Sequence, residues 1–173
     1  MNEKLQLFVR SAMFAAIVCI ATMVIRIPVA ATGGYVNIGD AAVLLAAWIL
    51  GNPYGAAAAA LGSALADILS GYVIYAPATA VIKFAMAWLG FVVCRAMTDK
   101  NVHRFAAYLV SSIVAELIMI AGYFLFESTF MGYGMGAVAA IPGNAIQAAV
   151  SLILANALIQ VLSGVLKVRD FSR

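Results

Sequence analysis

The chain has 173 residues, 66% of them hydrophobic and only 10% charged, with a mean hydropathy of +1.07. Soluble domains run at about 45–50% apolar and about 25% charged residues, so this composition excludes a cytosolic enzyme, a disordered chain and a nucleic-acid binder. The net charge of +3 does not revive the last of these, because the ten basic residues are scattered through apolar sequence and not clustered on a solvated face. The expectation is an all-α integral membrane protein forming one domain over residues 1–173.

In chain order, the segment MNEKLQLFVR carries both signs of charge and leads into an apolar run. With no small-residue cleavage site before Arg26, it reads as a retained first span and not as a signal peptide. That run, Leu7 to Ile25, is long enough to cross a bilayer core of about 30 Å and stops at Arg26-Ile27-Pro28. A Gly- and Thr-containing loop, Val29 to Gly39, follows, with Tyr35 and Asn37 in it. Asp40 then reads as the N-cap of a short apolar run, Ala41 to Leu50, and Gly51-Asn52-Pro53-Tyr54-Gly55 as a turn. A small-residue helix, Ala56 to Leu69, ends at Ser70-Gly71.

The fourth run begins after Pro77, contains Lys83 and reaches about Ala96. A polar break, Thr98 to Arg104, separates it from the fifth, Phe105 to Phe126. A glycine-rich loop, Glu127 to Gly136, precedes the sixth, from Ile141-Pro142 to about Leu166. These runs predict a compact bundle of six transmembrane helices, or five if the short second run is re-entrant. Basic residues orient it. With the N-terminus inside, Lys4, Arg10, Arg95, Lys100, Arg104, Lys167, Arg169 and Arg173 lie inside and only Arg26 outside. That asymmetry requires an even number of spans, and so both termini are expected in the cytoplasm.

An ionisable residue within a span costs about 2.5–3.5 kcal/mol on insertion scales and is a functional candidate by default. Asp67, Lys83 and Glu116 are such residues. At the helical rise of about 1.5 Å per residue, Asp67 and Lys83 fall near the outer ends of their spans and Glu116 deeper. Tyr75, Thr79 and Lys83 repeat every four residues and share one helix face, as do Asn144 with Gln147 and Glu116 with Tyr123. These polar faces converge at one depth, which predicts a pocket opening outward beneath the loop containing Tyr35 and Asn37. A blander reading stands beside it. Asp67 and Lys83 can neutralise each other as a structural ion pair, and Asn or Gln can serve as interhelical glue, at about 0.6 kcal/mol per bond.

Ser151, Asn156 and Gln160 are the polar exceptions in the inner half. Trp48 and Trp88 fit either lipid or pocket, and His103 reads as a solvated loop residue. Ala12, Ala15 and Ala16 form a small-residue patch on the first span, suited to close helix approach within the bundle or to a partner. Gly55, Ala59, Gly62, Ser63 and Ala66 do the same on the third. Cys19 and Cys94 have no metal-binding spacing, and no metal or cofactor is expected. GxxxxGK[ST], HExxH and GxSxG are absent. An enzyme would need a nucleophile–base pair, for which Ser63 with Asp67 is the nearest candidate; no enzymatic activity is expected.

Gly34-Tyr35-Val36-Asn37-Ile38-Gly39-Asp40, Gly51-Asn52-Pro53-Tyr54-Gly55, Gly62-Ser63-Ala64-Leu65-Ala66-Asp67 and Tyr75-Ala76-Pro77-Ala78-Thr79 before Lys83 together resemble the substrate-binding S components of energy-coupling factor vitamin transporters. The likeness is greatest to the riboflavin-type branch, and it covers nearly the whole chain. The resemblance implies a subunit that captures a vitamin at the outer face of a bacterial plasma membrane. It would then topple when docked on a transmembrane T component served by two ATPase subunits. Ala12-xxx-Ala16 matches the family's patch facing the T component. The resemblance implies that the loop after the first span and the outer ends of spans three to six hold ligand, in agreement with the pocket argued above, whose candidate residues are Tyr35, Asn37, Asp67, Tyr75, Thr79, Lys83, Glu116, Tyr123, Asn144 and Gln147. Riboflavin is the first expectation, with pyridoxine, hydroxymethylpyrimidine, pantothenate or folate behind it. Lys83 facing Asp67 would suit a polar ring or an acidic group, whereas Glu116 opposes a strongly anionic one. The competing classes are a membrane scaffold or assembly subunit that binds no small molecule, and a stand-alone secondary carrier.

Overall fold

In the computed structural model of the protein, residues 2–30 and 32–165 are described. Six α-helices carry the fold: α1 (Glu3–Val24), α2 (Gly39–Leu50), α3 (Tyr54–Leu69), α4 (Ala76–Asp99), α5 (Arg104–Thr129) and α6 (Ile141–Val165). The chain is a helical membrane bundle. Four stretches are long and apolar enough to cross a bilayer: α1, α4, α5 and Gly134–Ser163. The outward surface is apolar to match, with Phe8, Ile20, Leu61, Val81, Leu117, Ile146 and Val161 each at least 60% exposed. The expected end of the last span at Leu166 and the basic residues Lys167, Arg169 and Arg173 lie outside the described residues.

Helix α2 is apolar for a different reason. Its 12 residues span only about 18 Å at 1.5 Å per residue, and all but Ile49 are buried. A helix hydrophobic on every side belongs inside protein, and α2 packs against α1, α3, α4 and α6. Its own Trp48 is fully buried, with its indole donating to Ser111 Oγ at 3.1 Å and its ring 4.8 Å from that of Tyr108. Trp48 therefore faces neither lipid nor pocket. Trp88 is 37% exposed and stacks on Phe84 on the outside.

Small residues let these helices approach closely. A Cβ added at Gly62 on α3 would meet the Ala15 carbonyl oxygen and, at 2.8 Å, Val18 Cβ on α1. One added at Gly55 would meet the backbone of Ala46 and Ala47 on α2. At Gly39 it would strike Thr22 Oγ1 of α1. The turn between α2 and α3 contains a cis Asn52–Pro53 bond.

Three segments depart from the sequence expectation. The stretch after α1 is not a plain loop: β1 (Arg26–Val29) and β2 (Gly34–Asn37) pair antiparallel, with Pro28 opposite Tyr35 and Gly33 turning at φ +68°. Only β2 is tucked in. β1 is exposed along most of its length, which suits Pro28, since proline is confined to edge strands. Asp40 does not cap α2. The helix already starts at Gly39, its N-cap residue is Ile38, and no side chain caps it. Finally, α5 runs on to Thr129 because no breaker precedes Gly132, and a 3-10 turn (Gly134–Ala140) leads directly into α6.

Overpacking a tight core contact costs about 1–3 kcal/mol. Gly62→Ala is therefore expected to lower Tm in detergent, by roughly 2–4 °C per kcal/mol for a chain of this size. Gly136→Ala, where nothing lies within 4 Å of the added carbon, serves as the control and should leave Tm unchanged.

Candidate functional site

α1, α3 and α5 finish, and α2, α4 and α6 begin, at the end of the bundle that carries the hairpin. One cavity opens there. It is lined from the hairpin, α1, α3, α4, α5 and α6.

Lys83 forms its floor. Its ammonium is 2% exposed and pairs with the Asp40 carboxylate, itself 1% exposed. The other Asp40 oxygen accepts from Gln147 Nε2 at 2.7 Å, and Gln147 Oε1 accepts from the Asn37 backbone N–H at 2.6 Å. Asn37 Oδ1 in turn accepts from the Gly39 N–H at 2.7 Å. The ion pair, α6 and the end of the hairpin are thus one hydrogen-bonded chain. Lys83 Nζ also sits 5.3 Å from the centre of the Tyr123 ring, and the Tyr123 hydroxyl lies 3.0 Å from Thr79 Oγ1.

The walls are tyrosines and carboxyls. Tyr35 donates to Asp67 Oδ1 at 2.6 Å. Tyr75 lies 2.9 Å from the Thr32 carbonyl and 3.2 Å from Glu127 Oε1. Burial, then the neighbouring Asp67, pushes the Tyr35 phenol far above the usual tyrosine range; burial and Glu127 do the same to Tyr75. Both hydroxyls keep their protons. The Tyr35 and Tyr72 rings approach to 4.5 Å, and Tyr75 meets Phe126 edge-on at 5.4 Å, which gives the mouth an aromatic rim.

Of the ten residues singled out in the sequence, Tyr35, Asn37, Asp67, Tyr75, Thr79, Lys83, Tyr123, Asn144 and Gln147 line this cavity. Glu116 does not. It lies beneath, 3% exposed, close enough to Asp40 and Lys83 to feel both charges. Neither of its oxygens has a hydrogen-bond partner among the described residues. The Lys83–Asp67 ion pair of the blander reading is not formed: Lys83 bonds Asp40, and Asp67 bonds Tyr35. Depth along a helix says nothing about azimuth, and α2 brings Asp40 to Lys83.

Sequence reasoning missed Asp40, Glu127, Thr22, Thr32 and Ser63 as parts of the site. A signal for Glu127 existed, since it follows Glu116 by eleven residues and Tyr123 by four, on one helical stripe. Ser63 precedes Asp67 by one turn, yet its hydroxyl has no hydrogen-bond partner among the described residues, so Asp67 does not hold it as a base would hold a nucleophile. Deeper in the bundle, Asn156 donates to Ser112 Oγ at 3.1 Å across α5 and α6, which is the glue role. On α1, Ala12 and Ala16 are exposed, while Ala15 is half-buried with its carbonyl against Gly62.

Residues 2–164 match the family model for the ECF-type riboflavin transporter S component. A Pyrococcus woesei protein, described only as an uncharacterized protein in a gap 3′ region, is 33% identical over 145 residues, covering 82% of this chain and 90% of its own. A solved S component of a bacterial ECF transporter superposes with a TM-score of 0.68 over 95% of this chain and 99% of that one, at 19% identity. That likeness is one of fold.

Removing one member of a buried ion pair leaves the other uncompensated, at a cost of about 3–5 kcal/mol, whereas replacing both is far milder. Lys83→Met and Asp40→Asn should each lower Tm strongly. The double variant should recover most of the loss, and a thermal-unfolding double-mutant cycle measures the coupling.

Proposed function

Because the chain belongs to the ECF-type riboflavin transporter S component family, we propose that it is the vitamin-capture subunit of an ATP-driven uptake transporter. The hairpin end faces the outside of the cell membrane, and riboflavin is the first candidate ligand. The observation that carries this reading is the cavity itself. Polar side chains from the hairpin and five helices converge there, and several hold buried oxygens without partners among the described residues, Ser63 Oγ and Asp67 Oδ2 included. Buried polar atoms are normally satisfied, so such atoms around an opening are suited to a ligand that completes them.

Geometry supports a mechanism as well. Hydrogen bonds from Tyr35 to Asp67, from the Asn37 N–H to Gln147 and from Tyr75 to the Thr32 carbonyl tie the hairpin to α3, α6 and the start of α4. A ligand entering from the mouth exchanges some of these bonds for its own. The sequence contains no GxxxxGK[ST] phosphate loop, so on this reading the energy comes from a T component and ATPase subunits. Delivery follows by toppling of the bundle against the T component. The exposed Ala12 and Ala16, which let another helix approach closely, supply the docking patch on α1, with Ala15 set behind them.

Small molecules released by heat from detergent-purified protein should include a stoichiometric vitamin by mass spectrometry. Riboflavin at about 100 times its Kd adds about 2.7 kcal/mol of stability, and should raise Tm by roughly 5 °C or more. If neither riboflavin nor any other vitamin is found or raises Tm, the capture reading is wrong and a scaffold subunit takes its place.

Orientation has its own test. In a background lacking Cys19 and Cys94, a cysteine at exposed Val73 on the hairpin end should react with an impermeant maleimide on intact cells. One at exposed Lys100, at the opposite end, should not.

A further inference from the structure

The cavity carries information about the charge of what it holds. Four lining residues carry buried polar oxygens that have no hydrogen-bond partner among the described residues: Thr32 Oγ1, Ser63 Oγ, Asp67 Oδ2 and Glu127 Oε2. All four residues are at most 3% exposed. Two of these atoms belong to carboxyl groups. A carboxyl group accepts hydrogen bonds when ionised, and donates one while still accepting when protonated. In neither state does it offer positive charge.

The cation count is equally one-sided. Among the described residues, Lys83 is the only basic side chain lining the cavity, and its charge is already matched by Asp40, which Gln147 clamps from the other side. Arg26 lies on the exposed strand of the hairpin and is not part of the lining. A ligand phosphate or carboxylate could claim Lys83 only by displacing Asp40. That would leave Asp40 buried and uncompensated close to Glu116, and such a buried charge is strongly unfavourable. A hydroxyl, amide N–H or protonated amine meets the opposite situation, since the acceptors of Asp67 and Glu127 and the rings of Tyr35, Tyr75 and Tyr123 belong to the lining and aromatic rings attract cationic groups.

Resting on the capture reading above, we propose that this cavity selects neutral or cationic, donor-rich small molecules and rejects their phosphorylated or carboxylated counterparts, with Asp67 and Glu127 as the specificity-determining residues. Pantothenate, folate and phosphorylated flavins or pyridoxines are thereby excluded. Riboflavin, pyridoxine and hydroxymethylpyrimidine, which carry hydroxyl or amino donors and no acid group, remain.

Matched pairs test this on the full chain in detergent. Titrations monitored by intrinsic fluorescence and by Tm would use riboflavin against riboflavin 5′-phosphate, pyridoxine against its 5′-phosphate, and hydroxymethylpyrimidine against its phosphate, with pantothenate and folate as single anions. The expected result is at least tenfold weaker binding of the phosphate for whichever parent binds, and no Tm rise with pantothenate or folate. In Asp67→Asn and Glu127→Gln, the parent should bind more weakly and the gap to its phosphate should narrow at least threefold. An anionic member that binds as tightly as its parent, or binds where no parent does, overturns the selection while leaving vitamin capture standing. Binding by none of the compounds overturns both. The wild-type pairs decide the question even if a variant fails to fold.

Discussion

The Lys83–Asp40 pair, buried to within 2% of full enclosure on both sides, is the constraint on which the site depends. Its members are 43 residues apart and lie on different helices. Gln147, which holds the other Asp40 oxygen, lies a further 64 residues beyond Lys83 on α6. Neither charge is tolerable alone at this depth, so the pair exists only when α2, α4 and α6 are assembled in one relative position. That same arrangement sets the floor of the cavity, fixes Gln147 for the hairpin backbone and places Tyr123 over the ammonium. Architecture and cavity are therefore one network, and no helix of the three can shift without parting the charges.

Much of this was legible in the sequence, because helix length and hydropathy respond to the bilayer directly. The long spans, the turn at Asn52–Pro53 and the convergence of Tyr75, Thr79 and Lys83 with Asn144 and Gln147 all follow from periodicity and depth. The hairpin was not. Strands of four residues interrupted by Pro28 and joined through Gly33 carry too little alternation to be told from a loop. Asp40 was misread for a physical reason: an acid in front of an apolar run is what a helix cap looks like, and only three-dimensional packing shows that its carboxylate turns inward to Lys83. Glu127 was lost by ending α5 at Phe126, three residues before its real end.

The apolar content of the chain also conceals two different solvents. The exposed residues of α1, α4, α5 and α6 face lipid by composition and length, whereas α2 is just as apolar because protein surrounds it. A hydropathy profile weights both alike. The distinction matters for the site, since Asp40 reaches the middle of the bundle from a helix that protein surrounds and meets Lys83, which reaches it from the inward side of lipid-facing α4. Asp40 uses that position, at the first turn of α2, and the small residues of α3 let α1 and α2 close around it.

Gly39 contributes no side-chain group and is not part of the cavity lining, yet its missing side chain is where α2 rests on Thr22 of α1. The next residue is Asp40. Any added carbon at Gly39 must push the start of α2 away from α1 and carry the carboxylate off its partners. The geometry of the cavity floor thus hangs on a position that has no side chain. Its requirement is spatial, set by the room between two helices, where that of the polar wall residues is chemical.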